Sequence, residues 1–89
     1  MRGTGRRFVY LLRSESDRSR HYVGRTADVE DRLRWHNEGP CGYTIANRPW
    51  RPVVVLEFPN ESDATRFERY LKSGSGRAFA KRHFADDHA

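Results

Sequence analysis

RFVYLLRSESDRSRHYVGRT, residues 7–26, decides how the rest of the chain is read. It holds two strand-like runs, 7–13 and 20–25, rich in aromatic and β-branched residues. Between them lies SESDRS, a polar stretch of turn-forming side chains. The pattern predicts a β-hairpin with Tyr10 opposite Tyr22, Phe8 opposite Gly24 and Leu12 opposite Arg20, the turn closing around Ser16. Side chains alternate between faces with a period of two, so Tyr10 and Tyr22 share a face with Phe8, Leu12 and Gly24, and a one-residue slip would separate them. Val9, Leu11 and Val23 fall on the other face. Both faces carry apolar residues, so helices are expected on both sides of the sheet.

Working outward, TADVEDRLRWHNEGP (26–40) reads as a helix. Thr26 or Asp28 serves as its cap, early acids suit its positive end, and Gly39 and Pro40 stop it. Val29 and Leu33 form the inward stripe, with Arg32 and His36 one turn apart beside it. Residues 40–52 are loop-rich, with one helical turn near 43–46. VVVLEF (53–58) is a strand of buried type. NESDATRFERYLKS (60–73) opens with capping residues, and Ala64, Phe67, Glu68 and Leu71 recur on one helical face. Glu68 therefore stands on an apolar face, where a carboxylate needs a partner, and Arg32 is one candidate. GSGR (74–77) reads as a break before a short basic helix, RAFAKRHF. The fold class is α+β: a small three-stranded antiparallel sheet flanked by helices, in the order β-β-α-(α)-β-α-α.

With 89 residues, the chain supports one domain, placed at 7–84, with 1–6 and 85–89 as short flexible tails. A single cysteine, Cys41, excludes an internal disulfide and a multi-cysteine zinc site. FVYLL is too short for a signal peptide or a membrane span, so a soluble, cytoplasmic protein with no membrane partner is expected. The net charge is +5, and of the 17 basic residues only Lys72 and Lys81 are lysine. Arginine suits bidentate phosphate contacts, so the balance favours a polyanionic partner.

FVYLL, HYVG, DRLRWH, RPW before a strand, and ATRFERYLKSGSGRAF together resemble the GIY-YIG nuclease superfamily, and in particular its compact single-domain members. FVY stands for the first name-giving triplet and YVG for the second. The resemblance implies that Tyr10 and Tyr22 are the motif tyrosines, Arg32 the catalytic arginine, His36 a further catalytic residue and Glu68 the metal-binding glutamate. Arg25 and Arg32 would bind nucleic-acid phosphate. Gly24 is read as serving backbone geometry, and His21, His83 and His88 as surface residues. The implied activity is metal-dependent hydrolysis of phosphodiester bonds in DNA, in repair, recombination or mobile-element contexts, with RNA as another substrate class. The implied cofactor is Mg²⁺ or Mn²⁺, and a homodimer or a targeting partner protein would complete it.

That chemistry suits the residues. One hard cation that keeps most of its waters needs only one carboxylate, and the chain offers no acidic cluster beside Glu68. Arg32 can hold a phosphate with its planar fork. A tyrosine such as Tyr22 acts as a base only where cations stabilise its oxyanion, with His36 to accept or relay the proton and Tyr10 to orient a phosphate or water. The pattern departs from the family once: where many members carry a late Asn, this chain reads SGSGRAFAKRHF. A nucleic-acid-binding module with the same fold and weak or no cleavage is the alternative that this departure supports.

Overall fold

β1 (Arg7–Ser14) is the middle strand of a three-stranded antiparallel sheet, flanked by β2 (His21–Thr26) and β3 (Trp50–Phe58) in the order β2-β1-β3. The computed structural model describes residues 5–40 and 42–84, the side chain of Tyr43 excepted. Cys41, His88, residues 1–4 of the expected tail at 1–6 and the whole of that expected at 85–89 lie outside the described residues. The helices are α1 (Val29–Glu38), the single turn α2 (Gly42–Ile45), α3 (Glu61–Leu71) and α4 (Gly74–Phe84). The element order and the antiparallel sheet are those read from the sequence.

β1 is buried along Val9–Ser14 because helices cover both faces of the sheet. On one face Val9 packs with Ala64 and Leu71 of α3, joined by Val23, Phe58, Phe67, Phe79 and Ala80. On the other, Tyr10, Leu12 and Trp50 form a second cluster with Tyr22 and with Leu33 of α1. Val9 and Val23 thus share one face and Tyr10, Leu12 and Tyr22 the other, as alternation assigned them.

The hairpin register differs from the expected one by two residues. Tyr10 lies opposite Gly24, Phe8 opposite Thr26 and Leu12 opposite Tyr22. The shared face survives, because a shift of two preserves parity. The cause is steric. A Cβ at position 24 would come 2.3 Å from the Tyr10 hydroxyl, so the tyrosine ring occupies the space over the glycine. The turn closes one residue later than Ser16. Asp17 accepts from the Arg20 N–H (2.9 Å), and fully buried Ser14 accepts the Asp17 N–H while donating to the Asn47 carbonyl (2.6 Å).

Asp28 caps α1 and accepts from the Asp31 N–H (3.0 Å), while Thr26 ends β2 and its hydroxyl accepts from the Asp28 N–H. β3 begins at Trp50 rather than at residue 53. The Asn37 side-chain amide pairs with both the N–H and the carbonyl of Trp50 (2.6 and 3.0 Å), as a neighbouring strand would. Trp50 also donates its indole N–H to the Thr44 carbonyl (2.9 Å). Pro52 is tolerated because the ladder shifts register between Leu11 and Leu12, next to its pairing position.

The glycine-rich stretch 74–77 is the first turn of α4 and not a break. The Ser73 hydroxyl accepts the Gly76 N–H (3.2 Å) and donates to the Tyr70 carbonyl (2.6 Å), which starts the helix. Gly76 is buried so tightly that a Cβ would fall 1.7 Å from the Tyr70 carbonyl oxygen. Close approach of α4 to the end of α3 is what requires glycine there.

Candidate active site

The aromatic pair comes first, because the hairpin builds it. Tyr10 on β1 and Tyr22 on β2 lie with ring centroids 6.3 Å apart on the α1 side of the sheet. α1 delivers His36 against both rings. The Tyr10 hydroxyl is 2.9 Å from His36 Nε2, and the Tyr22 and His36 rings are 4.6 Å apart. His36 is fully buried, so it lies within the inward stripe of α1 and not beside it. Burial pushes its pKa down, and the cations Arg32 and Arg48 push it further in the same direction. The ring is therefore neutral, with one donor and one acceptor nitrogen.

The surrounding bonds select the tautomer. The Thr44 hydroxyl donates to the His36 carbonyl (3.4 Å), which leaves its oxygen to accept Nδ1–H (3.4 Å). Nε2 is then the acceptor for the Tyr10 hydroxyl. His36 thus hydrogen-bonds the Tyr10 hydroxyl while its ring packs against that of Tyr22.

Arg32 stands one turn before His36 on α1. Its guanidinium lies 5.0 Å from the centroid of the Trp35 ring, and among the described residues no carboxylate pairs with it. This corrects the partner suggested for Glu68. That partner is Arg25, whose Nε donates to Glu68 Oε1 (3.0 Å), together with Lys72, the C-cap of α3, whose Nζ donates to Oε2 (3.0 Å). Arg25 also donates to Glu61 (2.6 Å) at the start of α3. The Glu68 side chain is 15% exposed. Burial opposes its charge, but the hydrogen bonds from Lys72 and Arg25 prevail and hold its pKa below the usual carboxylate value.

Alternation along β2 puts Tyr22 and Gly24 toward α1, and His21, Val23 and Arg25 toward α3. The Tyr10–Tyr22–His36–Arg32 group and the Glu68–Arg25–Lys72 group therefore flank the same edge strand from its two sides. Arg25 is engaged by two carboxylates, unlike Arg32. His21 and His83 are exposed, as expected of surface residues.

Several supporting residues escaped the sequence reading. Arg48 caps the C-terminal end of α1, donating to the His36 carbonyl (2.6 Å) and to the Gly39 carbonyl. With Trp50 in the core, this explains the RPW stretch: one residue ties down the helix that carries His36 and the other anchors β3. Lys72 was findable, since it stands four residues after Glu68 on a helix. Thr44, Asn37 and Glu61 carry no local signal, because their partners are distant in sequence.

Comparison with known proteins gives the family. The GIY-YIG catalytic domain model matches residues 6–83. The chain is 42% identical over 67 residues to the structure-specific endonuclease subunit SLX1 of Scheffersomyces stipitis, a match covering 67% of this chain and 20% of that protein. It is 35% identical over 71 residues to the UPF0213 protein BH0048 of Halalkalibacterium halodurans, covering 79% and 73%. The solution NMR structure of the UPF0213 protein BH0048 from Bacillus halodurans superposes with a TM-score of 0.55 at 27% identity, covering 93% of this chain and 89% of that one. These matches define a compact catalytic domain of the nuclease class. The chain belongs to the GIY-YIG family. It spans about a fifth of the length of the SLX1 relative.

Proposed function

We propose that the chain is an endonuclease that hydrolyses phosphodiester bonds in DNA with one bound Mg²⁺ or Mn²⁺, through a single domain at residues 7–84. The observation that carries this reading is the Tyr10–Tyr22–His36 cluster on the α1 side of β2, with Arg32 one turn before His36 on α1 and Glu68 held by Arg25 on the other side of the same strand. Among the described residues there is no group of three potential metal ligands, so an all-protein cage does not fit. A single ionised carboxylate fits a hard cation that keeps its waters, and Glu68 is such a group. When bound there, the ion supplies charge neutralisation and a more acidic water.

The chain's own residues do the rest. Arg32 grips the scissile phosphate. Tyr22 takes the proton of the attacking water. Tyr10, hydrogen-bonded to His36, orients the water or the phosphate. Arg25 and Lys72 hold the two Glu68 oxygens, and phosphates of bound DNA compete for those cations, freeing the carboxylate. The names of the SLX1 relatives, structure-specific endonuclease subunits, support a branched or otherwise structured substrate and a partner protein, with a homodimer as the other assembly. RNA is a second substrate class.

The test is plasmid nicking with Mg²⁺, Mn²⁺ or chelator, beside flap, junction and single-stranded DNA and RNA. Glu68→Gln keeps the shape and removes the charge. It is expected to lower cleavage by about two orders of magnitude or more. Because it breaks a part-buried ion pair, it should also cost about 1–2 kcal/mol of stability. Unchanged nicking by the folded variant would remove Glu68 from the mechanism. Binding without cleavage in every arm would favour the alternative, a nucleic-acid-binding module. Two observations support that alternative: no late Asn is present, and cations occupy both Glu68 oxygens.

A further inference from the structure

Trp35 is a large aromatic residue that α1 leaves 39% exposed, outside both hydrophobic clusters. Core packing does not explain it. Its indole lies against the backbone of Gly39, where a Cβ would come 2.5 Å from its Cδ1, and its ring meets that of His36 at 5.5 Å. The ring is thus held from two sides. The Arg32 guanidinium sits 5.0 Å from its centroid, three residues earlier on the same helix.

We propose that Trp35 is a positioning residue, fixing the Arg32 guanidinium at the phosphate site without neutralising it. The inference rests on the phosphate-binding role proposed above for Arg32. Its logic lies in the contrast with Arg25. Arg25 is steered by Glu61 and Glu68, and a phosphate must displace those carboxylates to reach its N–H groups. An aromatic face attracts a guanidinium through its quadrupole and takes none of its five N–H donors. Arg32 therefore keeps its full charge and donor set while losing much of its rotamer freedom. A fork pre-oriented in this way binds a planar pair of phosphate oxygens at lower entropic cost.

The test is a double-mutant cycle of Trp35→Leu and Arg32→Ala, with Trp35→Tyr as the conservative rescue. The first readout is the NMR resonance of the Arg32 Nε–Hε group, which needs no activity. It should be shifted upfield by the indole ring current, lose that shift in Trp35→Leu and keep part of it in Trp35→Tyr. The second is nicking kinetics together with affinity for a short fluorescein-labelled duplex. Trp35→Leu should lower kcat/KM or affinity by about tenfold at unchanged melting temperature. It should cause no further loss in the Arg32→Ala background, and Trp35→Tyr should restore most of the loss. An unshifted Arg32 resonance, or equal losses with and without Arg32, overturns the proposal. If the wild-type chain nicks no substrate, the endonuclease reading fails. The same cycle read by duplex affinity then still decides the role of Trp35: non-additive losses support it and additive losses overturn it.

Discussion

Gly24 and His36 show how single positions hold the Tyr10 side of the site. Tyr10 is buried and bonded to His36, so its ring cannot swing aside for a methyl group 2.3 Å from its hydroxyl. Gly24→Ala is expected to cost about 1–3 kcal/mol, read as a lower urea midpoint, and to disturb the Tyr10–His36 bond. The pH dependence has a definite sign. His36 has a folded pKa below its ordinary value of 6.5, so the unfolded chain takes up its proton first as pH falls. The stability due to neutral His36 is complete above 6.5 and is lost as pH drops below it toward the folded value. Glu68 acts in a lower window, below its ordinary 4.5. Thermal scans from about pH 8 to about pH 5 therefore isolate His36. The melting temperature should fall on acidification, and His36→Gln should flatten the curve. Equal slopes for the two proteins would mean that the ring is not held neutral. Tyr22→Phe keeps the ring and removes the base candidate's oxygen; it should cut cleavage strongly while leaving stability within about 1 kcal/mol.

At the scale of elements, the site depends on how α1 is tied to β3. Asn37 bonds both backbone groups of Trp50, and Arg48 bonds carbonyls at the end of α1. These contacts hold the helix that carries Arg32 and His36 at a set height over the sheet. Asn37→Ala would leave the N–H and carbonyl of Trp50 without that partner, at an expected cost of about 1–3 kcal/mol. Hydrogen exchange should quicken at Trp50 and along the last turn of α1, while α3 and α4, packed on the opposite face, keep their protection. Uniform acceleration across the chain would show that the α1–β3 tie is not a local unit.

For the whole molecule, charge and stoichiometry bear on the proposed action on DNA. A net charge of +5 neutralises few phosphates. Non-specific duplex affinity should be about micromolar or weaker at physiological salt and fall steeply as salt rises. Fluorescence anisotropy over a salt series checks this, and a flat salt response would point to a different partner. Each chain brings one of the proposed sets of Tyr22, Arg32 and Glu68, so one bound monomer should cut one strand. Supercoiled plasmid should pass through the nicked circle before the linear form. Direct linearisation by a species shown to be monomeric during the reaction would contradict one site per chain.

The parts of this protein legible in its sequence are those governed by short-range periodicity. Alternation along residues 7–26 was enough to put Tyr10 and Tyr22 on one face, because parity does not depend on the exact register. Helical spacing was enough to set Arg32 and His36 one turn apart and to mark Glu68 as a carboxylate on an apolar face. What tertiary structure alone decided involves groups far apart in the chain. The register turned on the fit of the Tyr10 ring over Gly24. Glu68 found Arg25, 43 residues away, in place of Arg32. β3 gained its first residues from an asparagine on α1, and the Tyr10–His36 bond formed by the way α1 settles on the sheet. Local propensity is blind to such pairings, because their energy appears only once distant elements pack.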